Sequence, residues 1–373
     1  MTQAIDPINL SARFEQAYGT CPRIFVGPGR INIIGEHVDY CGGMVMPAAI
    51  DRACYVAAAP NGLRVLRVES DFGSARIDLD NFVAKADWRD YVAGMAFALI
   101  EAGHPVFGHD LIIHSNVPVG AGVSSSAALE VAVGLALSGN TVTGPSLALI
   151  AQRAENHFVG MKCGIMDQFA SANGIAGHAL LLNCSSLQFQ PLKLPEQACF
   201  LLIDSGVKHT HLTGDYAARR QDCETAATIL GVEQLSEIVD QSLLGALTGK
   251  TLMRARHVVS EIARTNAAQL ALERGDLTTL GALMNQSHAS LSADMEVSTV
   301  EVDCLAAIAQ ATTGVYGARM MGGGFGGSVI ALVNPTQLAQ AREKIVATYS
   351  AFLGTQAEAF DVRLARGAHE VIC

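Results

Sequence analysis

A glycine loop that runs into a serine-rich helix start is the feature that most constrains how this chain can fold. Residues 116–129 read NVPVGAGVSSSAAL, and Gly120 and Gly122 let the backbone approach a ligand closely. The first turn of a helix leaves backbone N–H groups unpaired and favours an anion such as phosphate. The three serines at 124–126 exceed the one side chain that capping requires, so a spare hydroxyl is available to ligate Mg²⁺. Because no lysine follows the last glycine, the segment is not a P-loop; a plain capped helix is the alternative.

Length and charge restrict the class of protein. The chain has 373 residues, of which 50% are hydrophobic, so it can bury a core either as two lobes or as one large domain. Its formal charge is −10, and neither lysine nor arginine forms a run, which argues against binding to nucleic acid or to an anionic membrane through released counterions. The expected partner is a small molecule.

Cysteine usage and apolar runs indicate a cytoplasmic protein. Nine cysteines are scattered singly without a C-x-x-C pair, as expected for reduced thiols. The first residues contain charges and have no apolar core of signal-peptide length. The longest apolar stretch, residues 119–137, is interrupted by three serines and Glu130, so it falls short of the roughly 20 clean residues of a membrane span.

The order of local patterns predicts an α+β chain with two lobes. Short β-like runs separated by turn residues fill the first third, and helical spacing takes over from Ser124. After Pro195, an apolar strand is followed by helical stretches, a strand, a glycine-rich loop, another strand and a final helix. We therefore expect an N-terminal lobe over residues 1–195 and a C-terminal lobe over residues 196–373.

Four ionisable residues crowd a segment that otherwise has the pattern of strand and turn. Residues 27–40 read GPGRINIIGEHVDY, with Arg30, Glu36, His37 and Asp39 close to three isoleucines. If Arg30 is partly buried beside a carboxylate, each group holds the other ionised. A metal site is disfavoured, because the adjacent Glu36 and His37 point to opposite faces of a strand. A solvated turn between two strands is the alternative.

Two carboxylates further along the chain are candidates for proton transfer and metal binding. Asp167 has the apolar neighbours Ile165, Met166 and Phe169, and a desolvated carboxylate is a candidate general base. Glu155, twelve residues upstream, could complete a magnesium site from a helix. Either residue could instead be an ordinary helix cap or a surface side chain.

A second glycine cluster, residues 321–328, reads MGGGFGGS and contains the pattern G-x-G-x-x-G. A dinucleotide-binding fold would need a helix directly after it and an acidic residue about 20 positions later. Residues 328–333 are instead β-branched and apolar, and residues 346–352 lack an acid. The glycines are therefore expected to form a turn between two strands that packs closely against a ligand or another loop.

Together these segments resemble the galactokinase branch of the kinase superfamily that joins galactokinase, homoserine, mevalonate and phosphomevalonate kinases. The chain carries the sugar signature GRINIIGEHVDY, the phosphate loop PVGAGVSSSAALE and the glycine turn GARMMGGGFGG in the family's order. The stretches CGIMDQFAS, DSGVKHTHLTGDYAARRQDCE and RARHVVSEI also match, and the resemblance runs from about Arg23 to Val333. The first motif is specific to galactokinase-type sugar kinases, whereas the other two mark the superfamily.

The resemblance implies a fold, a reaction and a set of site residues. The N-terminal lobe would be ribosomal-S5-like and bind sugar and nucleotide, the C-terminal lobe would be ferredoxin-like, and the active site would lie in the cleft between them. The implied reaction transfers phosphate from ATP, with Mg²⁺, to the anomeric C1 hydroxyl of galactose. Arg30 and Asp167 would be the catalytic pair. The sugar would be bound by Glu36, His37, Asp39, Gly164 and Tyr216, the triphosphate by Gly120, Gly122, Ser124, Ser125 and Ser126, and the magnesium by Ser125 and Glu155.

Two positions depart from the family's usual sugar signature. The family usually reads H-T-D-Y-N, where this chain has Val38 and Cys41 in place of the threonine and the asparagine. Losing a hydroxyl and an amide beside the sugar-contacting acid could retune the pocket, or could repack side chains that face away from it. The alternatives are therefore a kinase for N-acetylgalactosamine or another sugar, a mevalonate-type kinase, against which the GEH-DY block argues, and a non-catalytic sensor of galactose and ATP. A monomer is expected, with a homodimer left open.

Overall fold

The helices and strands are those of a computed structural model that describes residues 6–207, 212–354 and 356–372. Residues 208–211, within the stretch DSGVKHTHLTGDYAARRQDCE, lie outside the described residues. The α-helices are α1 (Pro7–Tyr18), α2 (Arg89–Glu101), α3 (Ser125–Leu137), α4 (Gly144–Arg153), α5 (Met166–Asn173), α6 (Leu212–Leu230), α7 (Gly249–Glu273), α8 (Leu277–Ser290), α9 (Val300–Gln310) and α10 (Leu338–Leu353). The strands are β1 (Arg23–Asn32), β2 (Met44–Val45), β3 (Pro47–Pro60), β4 (Val65–Ser70), β5 (Gly73–Asp78), β6 (His109–Ser115), β7 (His178–Asn183), β8 (Phe189–Lys193), β9 (Cys199–Asp204), β10 (Val315–Met321), β11 (Ser328–Val333), β12 (Ala359–Val362) and β13 (His369–Val371).

A six-stranded sheet in the order β13-β1-β3-β6-β4-β5 is the framework of the N-terminal lobe. Helix α1 packs on one face, where Leu10 and Phe14 are buried against Ile24 of β1 and Ile112 of β6. Helices α3 and α5 pack on β1 and β3, and α2 and α4 pack on α3 in turn. Successive residues of a strand point to opposite faces, so neighbouring apolar residues of β1 serve two cores.

Strand β1 is continuous, although the sequence predicted two short β-like runs, at residues 23–26 and 31–34, separated by turn residues. It pairs with β3 along its length, with one register shift between Pro28 and Arg30. The glycines in this stretch serve close packing instead of a turn, because a Cβ at Gly27 would lie 2.2 Å from the carbonyl oxygen of Ala128 in α3. Arg30 is consequently held next to the glycine loop, where its backbone N–H donates to the Val123 carbonyl oxygen at 3.1 Å.

A four-stranded antiparallel sheet in the order β10-β11-β9-β12 forms the centre of the C-terminal lobe. Helices α8 and α9 pack on β10, and α10 packs on β9 and α9. The glycine-rich residues 322–327 join β10 to β11, so the prediction of a turn between two strands is confirmed. A third sheet has three strands in the order β2-β7-β8. The combination of three sheets with helices agrees with the expected α+β class.

The strand pairing also bears on the expected boundary between the lobes. Residue 195 falls in the link between β8 and β9, but β13 pairs with β1 through Ile24 and Val371. Residues 369–371 therefore belong to the sheet of the N-terminal lobe, although residues 196–373 were all expected in the C-terminal lobe. Within the described ranges, no helix combines the length and the apolar character that crossing a membrane requires.

Candidate active site

Every residue that the sequence analysis assigned to the site lines one cleft of about 760 Å³. Its walls are the glycine loop with the start of α3, residues 36–39 after β1, the start of α5, the first turns of α6 and the glycine turn between β10 and β11. Sequence analysis missed Lys162 and Cys163, which line the same cleft just before Gly164. One indication of their role was available in the sequence, because both residues lie shortly before Asp167 in the chain.

The glycine loop and the glycine turn pack directly against each other. Gly122 has a left-handed φ of 73°, and a Cβ there would lie 2.9 Å from the carbonyl oxygen of Met321. The expectation that the second glycine cluster packs closely against another loop is therefore confirmed. Ser124 makes no side-chain capping hydrogen bond in α3; its hydroxyl donates to Asp167 Oδ2 instead. The alternative of a plain capped helix is therefore wrong.

Arg30 and Asp167 form a two-pronged ion pair at the cleft. Arg30 Nε and Nη2 donate to Asp167 Oδ1 and Oδ2, both at 2.8 Å, and Nη1 donates to the Gly122 carbonyl oxygen. Arg30 is only 3% exposed, so the alternative of a solvated turn is wrong for this residue. The Asp167 side chain is 30% exposed, and it lies in the first turn of α5, where unpaired N–H groups favour a negative charge. The Asp167 carboxylate is therefore partly accessible from the cleft.

Glu36 connects the segment after β1 to the glycine turn. Its Oε2 accepts hydrogen bonds from Arg319 Nη2 at 2.8 Å and from the backbone N–H of Gly322 at 3.1 Å. The fully buried Arg319 also donates to the carbonyl oxygens of Asn32 and Ile33, at 2.6 and 2.8 Å. Sequence analysis missed Arg319, because nothing local indicates its pairing with a glutamate 283 residues away.

Three rings form an aromatic cluster beside Glu36. The ring centroids of His37 and Tyr216 are 5.4 Å apart, and those of Tyr40 and Tyr216 are 5.6 Å apart. Burial lowers the pKa of His37 to about 3, so the imidazole is neutral at physiological pH. Its Nε2 lies 3.2 Å from the Gly323 carbonyl oxygen, which can only accept, so Nε2 carries the hydrogen. Nδ1 is then the acceptor for the Tyr40 hydroxyl at 3.0 Å.

Asp39 and Gly164 are in close contact on the same side of the cleft. A Cβ at position 164 would lie 1.8 Å from Asp39 Oδ2, so only glycine leaves room for this carboxyl group. Burial, followed by the negative charges of Asp167 and Glu36, raises the pKa of Asp39 to about 7. Near neutral pH the group is therefore available in both forms, as a hydrogen-bond donor and as an acceptor.

Glu155 is a buried glutamate, so the alternative of a surface side chain is wrong. It is 3% exposed, and its Oε2 accepts from Gln168 Nε2 at 2.5 Å. The Ser126 side chain lies close enough to the carboxyl group to lower its pKa. Burial, followed by the charge of Asp167, raises the pKa of Glu155 to about 7.

The surroundings of Glu155 fit a hard divalent cation such as Mg²⁺. Glu130 Oε1 and Gln168 Oε1 are buried there without a hydrogen-bond partner, and the available donors are carboxylate, amide and hydroxyl oxygens. In the part of the chain that the structure describes, no three His, Cys, Asp or Glu side chains converge as a metal site. A cation would therefore depend on serine hydroxyls and on the phosphates it accompanies. Ser125 and Ser126 both line the cleft, and Ser126 is the one whose side chain lies close to Glu155.

The two departures from the usual sugar signature face away from the cleft. Val38 is fully buried beside Gly43. Cys41 is buried as well, and its thiol lies close to that of Cys223 in α6. Neither Val38 nor Cys41 lines the cleft. Of the two interpretations of these substitutions, the geometry favours a repacking of side chains that point away from the ligand.

Three family signatures match successive parts of the chain. The galactokinase galactose-binding signature matches residues 12–60, which include Arg30 and the segment with Glu36. The N-terminal domain of the GHMP kinases matches residues 90–174, which include the glycine loop and Asp167. The C-terminal domain of the GHMP kinases matches residues 268–351, which include the glycine turn.

Individual proteins are similar along nearly the whole chain. The galactokinase of Chloroflexus aurantiacus is 42% identical over 98% of this chain and 95% of its own length, and that of Roseiflexus sp. is 41% identical over 99% and 98%. The crystal structure of Lactococcus lactis galactokinase complexed with galactose is similar with a TM-score of 0.92 at 32% identity, covering 98% of this chain and 100% of that one. The Methanococcus jannaschii mevalonate kinase has a TM-score of 0.64 at 17% identity over 94% of this chain and 100% of that one, which indicates a shared fold.

Proposed function

This chain belongs to the galactokinase family and transfers phosphate from ATP to galactose, and we propose that the acceptor is the anomeric C1 hydroxyl, with Arg30 and Asp167 as the catalytic pair. The product would be galactose 1-phosphate. The observation that carries this proposal is the two-pronged ion pair, because its carboxylate also accepts the hydroxyl of Ser124 from the glycine loop. The proposed proton acceptor and the proposed phosphate-binding loop are thus in direct contact.

The proposed reaction is an in-line transfer of the γ-phosphoryl group. Asp167 accepts the proton of the C1 hydroxyl, the C1 oxygen bonds to the γ-phosphorus, and the bond from that phosphorus to the bridging oxygen of ADP breaks. Arg30, which Asp167 and the Gly122 carbonyl oxygen hold in place, offsets the negative charge on the transferred group. A positioned base contributes about 10² to 10⁴ in rate.

Galactose would be bound on the side of the cleft formed by residues 36–39 and the first turns of α6. A sugar presents many hydroxyls that both donate and accept, so it needs partners of both kinds in fixed places. The neutral His37 and Asp39, whose pKa is about 7, supply such partners, and Tyr216 supplies a ring and a hydroxyl. Glu36 would contact the sugar from the position in which Arg319 holds it. Gly164 leaves room for the carboxyl of Asp39.

The triphosphate would lie along Gly120, Gly122 and the serines at the start of α3. Unpaired backbone N–H groups of the first helical turn are suited to bind its oxygens. Magnesium, when bound, would neutralise phosphate charge, and we place it at Glu155 and a serine hydroxyl. The family resemblance assigns Ser125 to this task, but the contact with Glu155 favours Ser126. Substituting each serine by alanine and titrating activity with MgCl₂ distinguishes the two. Only the substitution that removes the magnesium ligand should raise the MgCl₂ concentration required for half-maximal activity.

The remaining alternatives are less well supported. A kinase for another sugar is not favoured, because the relatives are galactokinases and the two departures in the sugar signature face away from the cleft. A non-catalytic sensor would not need the intact pair of Arg30 and Asp167. We further propose that the enzyme acts in the cytoplasm as a monomer, which cell fractionation and size-exclusion chromatography would test.

The decisive experiment replaces Asp167 by asparagine and measures ADP release with a panel of sugars. Wild-type enzyme should prefer galactose, and Asp167→Asn should lower kcat about a hundredfold or more while ATP still binds. Asp80→Asn is the matched control, because it breaks an exposed aspartate–arginine pair, with Arg64 at 2.6 Å, and neither residue lines the cleft. An Asp167→Asn enzyme with activity within about threefold of wild type would exclude the proposed base.

A further inference from the structure

We propose that Glu261 of helix α7, assisted by His257, is a positioning residue that holds the sugar-binding segment in place. The inference deepens the proposed function and rests on it, because it concerns the support of the segment that carries Glu36, His37 and Asp39. Glu261 and His257 belong to the stretch RARHVVSEI, which matched the family in sequence, yet neither of them lines the cleft.

Helix α7 buries a row of polar side chains. Arg254, His257 and Glu261 follow one another at intervals of three and four residues, so they lie on one face of the helix, and each is fully buried. Burying such groups is unfavourable unless hydrogen bonds and opposite charges compensate. The partners of this row therefore indicate what the helix stabilises.

The carboxylate of Glu261 holds the backbone of the sugar-binding segment. Oε1 accepts hydrogen bonds from the backbone N–H groups of Gly35 at 2.9 Å and Glu36 at 3.3 Å, and from the Ser287 hydroxyl at 2.6 Å. Oε2 accepts from Arg264 Nε at 2.7 Å, which fixes the orientation of the carboxylate from the opposite side. A side chain of the C-terminal half thus satisfies two backbone donors of the N-terminal half.

The charge of Glu261 and a second contact strengthen this hold. Burial alone would raise the pKa of Glu261, but His257, Arg264 and Arg319 lower it to about 2, so the group accepts hydrogen bonds as a carboxylate. Hydrogen bonds to a charged acceptor are shorter and stronger than those between neutral groups. His257 adds a bond to the same residue of the segment, because its Nε2 donates to the Glu36 carbonyl oxygen at 3.0 Å.

The segment needs such support, because two of its residues have a left-handed backbone. Gly35 has a φ of 91°, and the non-glycine residue His37 has a φ of 58°. A conformation of this kind persists only where the surroundings determine it. Without Glu261 the segment is expected to relax, and the side chains at 36, 37 and 39 would leave the positions in which they face the sugar.

The expected effect is confined to the sugar. The glycine loop and the start of α3 are held by β1, α5 and the glycine turn, and none of the side-chain hydrogen bonds of Glu261 reaches them. A loss of positioning should therefore weaken galactose binding and leave ATP binding unchanged, whereas a general loss of folded protein would lower activity without changing either KM.

The test compares three variants at Glu261 with a matched control in the same helix. Glu261→Ala removes the acceptor, Glu261→Asp withdraws it by one methylene, and Glu261→Gln keeps an oxygen for the two backbone donors. Val258→Ala is the control, because Val258 is a fully buried apolar residue of α7, and its truncation destabilises the protein without removing a side-chain hydrogen bond to the segment. Steady-state kinetics give KM for each substrate, calorimetric titration gives the affinity for galactose alone and for ADP alone, and thermal melts report folding.

The expected results separate positioning from mere stability. Glu261→Ala should raise KM for galactose about tenfold and leave KM for ATP within about twofold, while Glu261→Gln should recover most of the affinity. If the alanine variant does not fold, Glu261→Asp should show a smaller rise of the same kind. Unchanged galactose affinity in a folded Glu261→Ala or Glu261→Asp variant would overturn this inference but not the proposed function. An equal loss of galactose affinity in Val258→Ala would have the same meaning. A wild-type enzyme that does not phosphorylate galactose would overturn both this inference and the proposed function.

Discussion

Replacing Glu155 by glutamine should make the protein more stable above neutral pH and less active. Glu155 is buried, and burial, followed by the charge of Asp167, raises its pKa from an ordinary value of 4.5 to about 7. Glutamine has the same shape and keeps an oxygen for the hydrogen bond from Gln168. It cannot ionise, so the variant is free of the unfavourable burial of a charge. It also lacks the proposed ligand for magnesium, which explains the expected loss of activity.

The sign and the magnitude of this effect on the free energy of unfolding follow from the proton that Glu155 retains in the folded state. Between pH 4.5 and about 7 the native Glu155 holds a proton that the unfolded chain has already released, so the free energy of unfolding falls as pH rises through this window. Above this window Glu155 is ionised in both states, and the full cost of burying its charge lowers the stability of the folded protein. A difference of about 2.5 pKa units corresponds to roughly 3 kcal/mol of stability.

Urea unfolding of wild type and Glu155→Gln at pH 5 and pH 8 measures this penalty. The two proteins should differ little at pH 5, and the variant should be more stable by roughly 3 kcal/mol at pH 8. Glu101→Gln, an exposed substitution at the end of α2, is the matched control and should show no gain that grows with pH. A stability difference that is the same at both pH values, or a variant that is less stable at pH 8, would refute the reasoning.

Three further substitutions test other parts of the site. Gly164→Ala should raise KM for galactose about tenfold in steady-state kinetics, because the new Cβ displaces the Asp39 carboxyl; an unchanged KM would contradict the close contact. Cys41→Asn, which restores the family's usual residue, should leave the ratio of kcat/KM for galactose and N-acetylgalactosamine within about twofold, since position 41 faces away from the cleft; a tenfold shift would mean that it senses the sugar. Arg30→Lys keeps a charge but loses the paired hydrogen bonds to Asp167, so kcat should fall about a hundredfold with little change in the Kd of ATP, and wild-type kcat would rule out this role.

Signals within single segments made the glycine-rich parts of the site predictable. The loop before α3 and the turn between β10 and β11 followed from glycine spacing and from the residue types on either side. Helix α1 was also within reach, because Asp6 caps its first turn, Pro7 begins it and Gly19 ends it with a left-handed φ of 70°. The turn expected between the runs at residues 23–26 and 31–34 was wrong, because glycine permits close approach as well as turning, and local sequence does not distinguish the two.

Partners that are distant in the chain could not be predicted. Arg319 meets Glu36 across 283 residues, and Glu261 meets Gly35 across 226. Local periodicity does not distinguish Arg319 and Glu261 from the other charged residues, because only the tertiary fold brings them close to their partners. The raised pKa of Glu155 was equally inaccessible, since it depends on burial among Asp167, Ser126 and Gln168.

The pairing of β13 with β1 has a consequence for biosynthesis. Strand β1 carries Arg30, and its outer edge is covered by residues 369–371 through the register of Ile24 with Val371. While the chain is still emerging from the ribosome, that edge exposes unpaired N–H and C=O groups that can recruit a strand from another nascent chain. The N-terminal lobe is therefore complete only after β13 has been synthesised. A fragment that ends near residue 195 would leave this edge of β1 unpaired.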